Sequence, residues 1–339
     1  MPTNLPIIRS HARIDYKRCP KKWYWKWLRG LTPRTENPSA LSLGTWVHAA
    51  FAVWYASGFK RWGRLVDHFE TVSEASFDRH FNSATEQQIE KARQLQMLGV
   101  AMMQAYENHY DKDSKVNVIK TELPLEFEIS DGNKIIAIHR FKPDMVYFDE
   151  NNDVWLMEHK TADTIRTEHL IIDDQARPYG AMAEAALKKA GVIRSGVRFR
   201  GIMYNFIRKA FPDERKTNEL GQYLNKNGSV SKRQPSKLFV RHPLPMGARA
   251  KATTLRRVQS ESQLLTVLRQ SIIDKKIEPS YIPKTPHYSC PKTCQFFQMC
   301  VLEEEGADIR DMQRSMFRVE DPNNYPEDTT EDPLSFEMG

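Results

Sequence analysis

Two carboxylates and an ammonium group fall within one short stretch of the chain, Phe141 to Thr161, which reads FKPDMVYFDENNDVWLMEHKT. Asp144 follows Pro143, and Glu158, His159 and Lys160 come further on. An apolar run from Met145 to Phe148 meets the polar residues 149–153, and a second apolar run, Val154 to Met157, follows. That is the pattern of two strands joined by a turn. Side chains on a strand alternate between faces, so Glu158 and Lys160 share a face, and a hairpin sets Asp144 beside them. Oxygen donors gathered at one sheet end suit Mg²⁺ or Mn²⁺. The string alone equally suits a solvated strand end with a surface salt bridge, so the rest of the chain has to decide.

A second group of reactive side chains is made of sulfur. The four cysteines are Cys19, Cys290, Cys294 and Cys300; the last three sit in CPKTCQFFQMC and the first far upstream in KRCPKKWYWKW. A reducing cytosol argues against disulfides. Four thiolates can hold a structural zinc or an iron–sulfur cluster, and the plain alternative is a set of unrelated small hydrophobes. A third candidate is His48 in LSLGTWVHAAF, beside the apolar stripe Val47, Phe51 and Trp54. A lone histidine there is ordinarily a satisfied core group.

The elements that must position these groups read as mixed α/β. Residues 41–110 have helical, amphipathic character, and 116–129 and 134–148 alternate as antiparallel strands around Asp131-Gly132-Asn133. Asp173-Asp174-Gln175 opens an alanine-rich helix to about Ala190, and 197–208 form an apolar, interior strand. Residues 212–236 form a polar surface loop, and 253–277 a long amphipathic helix leading into the cysteines. The expected organisation is a helical region 1–115 with Cys19 and His48, a core 116–210, a basic loop region 211–252, a helix and cysteine segment 253–310, and an acidic disordered tail 311–339.

Composition narrows the class. The chain has 339 residues, 40% hydrophobic and 27% charged, with 50 basic and 43 acidic side chains for a net charge of +7. The acidic residues include Glu320, Asp321, Glu327, Asp328, Glu331, Asp332 and Glu337, all in the last twenty positions, which hold no lysine or arginine. The preceding body is therefore strongly basic, which suits a polyanionic partner. No run is long enough to span a membrane and MPTNLPIIRS is not a signal-peptide pattern, so a cytoplasmic protein is expected. A G-x4-GK[ST] phosphate loop is absent, which excludes a helicase of that type.

Taken in order, Gly44-x3-His48, Pro143-Asp144, Glu158-His159-Lys160 and Gln175-x3-Tyr179 resemble the motif series of RecB-like PD-(D/E)XK nucleases. Cys19-Pro20 with the C-terminal three-cysteine group resembles the iron–sulfur members, among them AddB-type nuclease domains and CRISPR-associated adaptation nucleases, and the resemblance leaves room for a phage-encoded chain. The resemblance spans about residues 11–300. It implies a restriction-endonuclease-like α/β core, and a metal-dependent DNA exonuclease acting on ends or single strands in replication, recombination, repair or CRISPR and phage DNA processing, with helicase or recombination proteins as partners. It implies that His48, Asp144 and Glu158, with the His159 carbonyl, ligate Mg²⁺ or Mn²⁺, that Lys160 orients the attacking water, and that Gln175 and Tyr179 contact DNA. It also implies a [4Fe-4S] cluster on Cys19, Cys290, Cys294 and Cys300. The chain departs from relatives in having three residues between Cys290 and Cys294, which keeps structural Zn²⁺ as the alternative. A non-catalytic DNA-end-binding subunit of the same fold is the competing function. The intact Asp144, Glu158 and Lys160 argue against it.

Overall fold

The computed structural model describes residues 5–34, 40–57, 63–80, 85–110 and 116–323. In chain order these form strand β1 (Ile7–Ile8), helices α1 (Ser10–Arg18) and α2 (Pro20–Trp23), strand β2 (Leu31–Pro33), and helices α3 (Ala40–Ala56), α4 (Leu65–His80) and α5 (Glu86–His109). Strands β3 (Asn117–Thr121), β4 (Leu125–Asp131), β5 (Lys134–Phe141), β6 (Met145–Phe148) and β7 (Val154–Ala162) follow, then helix α6 (Ala176–Lys189). Strands β8 (Phe199–Arg208) and β9 (Phe239–Pro245) lead to helices α7 (Ala248–Ile273), α8 (Cys290–Thr293), α9 (Phe297–Glu304) and α10 (Arg310–Met316), and to strand β10 (Phe317–Val319).

The chain divides into two units. The sheet unit comprises Asn37–Leu125 and Lys142–Ala252; the terminal unit comprises Met1–Glu36, Glu126–Phe141 and Thr253–Gly339. This differs from the five consecutive segments expected from the sequence. Pairing explains the difference: β1 runs parallel to β5, with Ile8 opposite His139, and β2 pairs antiparallel with β10. Both chain ends thus join one unit, a connection that no reading along the chain displays. The expected strand over 116–129 is likewise two strands, because β3 enters the five-stranded sheet and β4 a three-stranded one. The break falls where Glu122 has a φ of 49° and Pro124 lacks a donor.

Among the described residues, the sheet unit is built on a five-stranded sheet in the order β3-β6-β7-β8-β9. β7 is central, antiparallel to β6 and parallel to β8. Every residue from Val154 to His159 is buried, the continuous apolar reading of a strand covered on both faces. A core of Trp46, Val47, Phe51, Trp54 and Tyr55 from α3, with α4 and α5, packs with Met145, Tyr147, Trp155 and Met157. α6 connects β7 to β8 and buries Ala176, Met182, Ala183 and Leu187. The mixed α/β architecture expected from the sequence is the one the chain adopts.

Gly99 shows how closely α5 meets α4. A Cβ there would lie 2.0 Å from Phe69 Cζ, so no side chain larger than hydrogen fits. In the terminal unit, the fully buried Lys21 donates to Glu303 and to the Pro279 carbonyl, both at 2.6 Å, and its backbone N–H donates to Pro283 O at 3.1 Å. Residues 310–319 are helix and strand where a disordered tail was expected: Phe317 is buried and stacks on Phe296. The remainder of that tail, from residue 324, lies outside the described residues. The 212–236 segment is largely exposed as expected, with two local bridges, Thr217 to Tyr223 and Leu224 to Val230.

Candidate active site

Strand alternation on β7 sorts its polar residues. Glu158 and Lys160 share one face, where Lys160 Nζ donates to Glu158 Oε1 at 2.6 Å. Gln175 closes a ring with them: its Nε2 donates to Glu158 Oε1 at 3.0 Å and its Oε1 accepts from Lys160 Nζ at 3.1 Å. Gln175 is held in place by Asp173, whose Oδ1 accepts from the N–H groups of Gln175 (2.9 Å) and Ala176 (2.6 Å). A carboxylate at this position satisfies donors that the first turn of a helix leaves free. Pro178 sits within that first turn, where its missing N–H costs nothing.

Asp144 stands at the entry to β6, where the turn from β3 passes: its backbone oxygen accepts from Glu122 N at 3.0 Å. Its Oδ2 accepts from the His159 N–H at 2.6 Å, which fixes the carboxylate beside β7, and its Oδ1 lies 3.2 Å from His48 Nδ1. His48 reaches it from α3. At Gly44, one turn earlier on that helix, a Cβ would stand 3.4 Å from Thr161 Oγ1, an ordinary contact distance, so α3 passes close beside the end of β7.

The electrostatics follow from burial and crowding of charge. Burial works against charge on His48, yet the charge and hydrogen bond of Asp144, with Glu158 behind, raise the imidazole to about 9. Burial likewise opposes ionisation of Asp144, but His48 and, less strongly, Lys160 hold it well below the ordinary carboxylate range. Glu158 is pushed up by burial and by Asp144, against the pull of Lys160. Lys160 is disfavoured as a cation by burial, but Glu158 and Asp144 outweigh that and raise it. The site is thus a crowded set of two acids held by two cations, an arrangement that a divalent ion can enter by displacing protons.

His159 faces the other way. Its ring stacks on Phe51 at 4.5 Å and Tyr55 at 5.7 Å, and its Nδ1 lies 2.8 Å from Asn205 Nδ2. Asn205 also donates to the Tyr106 hydroxyl at 2.9 Å. Burial leads the causes that drop this imidazole to about 3, so it is neutral and occupied in the core. Tyr179 is buried at 7% exposure, too little surface to present a ring face to a base.

One residue was missed by sequence reasoning. Among the described residues, the metal-capable set whose ligand atoms lie within 4.8 Å of one another is His48, Glu122 and Asp144. Glu122 sits just beyond β3 with a left-handed φ of 49°, which is uncommon for a residue with a side chain. The one signal available was Pro124, which breaks an otherwise continuous strand pattern just after it.

The cysteines all belong to the terminal unit and are unpaired and half-buried. Burial raises the Cys300 thiol to about 11, with Cys294 and Cys19 adding to the effect; burial also raises Cys294, with Cys290 and Cys19 contributing. Lys22 beside Cys294 and Lys284 beside Cys300 favour those two thiolates, and among the described residues no three of the sulfurs lie within 4.8 Å of one another.

A family model for the PD-(D/E)XK nuclease superfamily matches residues 10–301. No curated protein matches the sequence. Among solved structures, the chain is similar to a putative exonuclease from Eubacterium rectale at 10% identity, over 85% of this chain and 93% of that one, with a TM-score of 0.46. It is also similar to SSO0001 at 12% identity, over 78% and 79% of the two chains, with a TM-score of 0.30. The match of the family model, running through Asp144, Glu158 and Lys160, decides the matter: the chain belongs to the PD-(D/E)XK nuclease superfamily.

Proposed function

We propose that the protein is a metal-dependent deoxyribonuclease that hydrolyses phosphodiester bonds at DNA ends or in single strands. The observations that carry this reading are Glu158 and Lys160 paired on β7 and bridged by Gln175, and Asp144 fixed to the same strand by the His159 N–H and met by His48. His48, Asp144 and Glu158, with the His159 carbonyl, would hold Mg²⁺ or Mn²⁺. Bound there, the ion supplies Lewis acidity and a lowered water pKa. Lys160 then faces the scissile phosphate, orients the attacking water and offsets charge that develops on the phosphorus oxygens. Gln175 touches both Glu158 and Lys160 and so acts first as the group that orients them. A direct DNA contact by Gln175 fits the same position. The buried Tyr179 fits packing under α6 better than base stacking.

The strongly basic body supplies the sequence-independent part of DNA affinity. In the terminal unit, Cys19, Cys290, Cys294 and Cys300 would hold a [4Fe-4S] cluster with a structural role, structural Zn²⁺ being the other centre such a donor set takes. The test of the substrate class uses the purified protein with Mg²⁺ or Mn²⁺ on linear and circular, single- and double-stranded DNA labelled at either end. Digestion of linear DNA and of single strands, abolished by EDTA, with closed circular duplex left intact, is the expected result. Nicking of closed circular duplex at an equal rate would overturn the exonuclease assignment, and no cleavage of any form would overturn the nuclease reading.

A further inference from the structure

Glu122 and its neighbour Lys142 belong to the metal site in a way the motif residues do not describe. Of the two motif carboxylates, Glu158 is already engaged by Lys160 and Gln175. The acid whose oxygen closes on His48 and Asp144 is Glu122. Its backbone is placed there by the hydrogen bond from Glu122 N to Asp144 O, 3.0 Å, and by the φ of 49° that turns the chain as β3 ends. Backbone in this region is unfavourable for a residue with a side chain and persists where the surroundings demand it. Lys142, two residues before Asp144, places its Nζ 2.9 Å from Glu122 Oε2, and the lysine side chain is only 12% exposed. A half-buried lysine thus rests its ammonium on the third acid of a site built to take a cation.

Resting on the reading of this site as a divalent-metal centre, we propose that Glu122 is a further protein ligand to the metal and that Lys142 is a resident cation which the metal displaces from it. In the metal-free protein the ammonium keeps Glu122 and Asp144 from repelling one another. Metal entry replaces a single charge by a double one and frees Lys142 from the carboxylate. Lys142 therefore sets a threshold for metal binding, and it acts through Glu122 without touching the reacting atoms.

The experiment is calorimetric titration of Mn²⁺ into the full-length protein without DNA, paired with thermal melting with and without Mn²⁺. Glu122→Gln keeps the shape and removes the charge, and should weaken Mn²⁺ binding by about tenfold or more. Lys142→Met should strengthen it by about threefold or more, while the metal-free protein melts earlier and the Mn²⁺-induced rise in Tm grows. Lys142→Arg, which keeps the cation, should return both readings toward wild type. Asp144→Asn is the control on the underlying reading. Loss of Mn²⁺ binding in Asp144→Asn with wild-type affinity in Glu122→Gln would overturn the assignment of Glu122 alone. Weaker Mn²⁺ binding in Lys142→Met would overturn the displacement role, and unchanged binding in Asp144→Asn would overturn the metal site itself.

Discussion

Metal affinity should depend steeply on pH, because the ion must evict a proton from His48. The imidazole is held at about 9 by Asp144 and Glu158 against the effect of burial. At pH 7 that leaves roughly one site in a hundred with a neutral ring, since each unit between pH and pKa is a factor of ten. The sign is fixed: metal takes the deprotonated ring, so binding releases a proton and strengthens as pH rises toward 9. Apparent Mn²⁺ affinity should therefore climb about tenfold from pH 7 to pH 8 and level off near pH 9. Calorimetry under anaerobic conditions, in buffers of different ionisation enthalpy, counts the protons directly, and about one should leave per ion at pH 8. Below pH 7 the raised Glu158 adds to the release and the slope steepens. In His48→Asn the dependence between pH 7 and pH 9 should vanish. Affinity that changes less than twofold between pH 7 and pH 8.5, with no proton released, would refute the coupling of His48 to the metal.

Other consequences concern stability and the sulfur site. Gly99→Ala would drive a methyl group into Phe69, 2.0 Å from the nearest ring atom, and should cost about 1–3 kcal/mol or more in chemical denaturation; Phe69→Leu in the same chain should recover part of it. Lys21→Met removes one of the two lysines on Glu303, Lys284 Nζ remaining 3.2 Å from Glu303 Oε2, and should destabilise the protein by about 1–3 kcal/mol in chemical denaturation. His139 and His159 are buried and lowered to about 3, so the unfolded chain takes up protons that the native one refuses. Stability should accordingly fall as pH drops from about 6.5 toward 3, by several kcal/mol in all, measured by urea midpoints across that window. Protein prepared anaerobically should be brown with about four irons and four sulfides per chain, and any Cys→Ser change at 19, 290, 294 or 300 should bleach it. A colourless preparation with one zinc would replace the cluster by zinc and leave the nuclease chemistry untouched.

What could be read from the sequence was what depends on local period. The alternation of β7, the Gly44 to His48 spacing on one helix turn, and the opening of α6 at Gln175 all follow from neighbours a few residues apart. Each places its side chain without knowledge of the rest of the fold. Glu122 was invisible for the opposite reason: VNVIKTELPLEFEI alternates well enough to pass for one strand, and only the turn at Glu122 shows that it serves two sheets. The terminal unit was equally hidden, since the pairing of β1 with β5 joins residues more than a hundred positions apart. His159 reads in the sequence as part of the acid and lysine motif, but alternation sends its ring to the opposite face, against Phe51 and Tyr55.

The central claim is that Asp144, Glu158 and Lys160 cleave DNA, and Glu158→Gln tests it most directly. That change keeps the side-chain shape and its contact distance to Lys160 while removing the charge that the ion needs. Measured as release of nucleotides from end-labelled DNA with saturating Mn²⁺, the rate should fall by at least about a thousandfold, with DNA affinity and melting temperature close to wild type. Cleavage by Glu158→Gln at the wild-type rate would place the chemistry elsewhere in the protein and contradict the account.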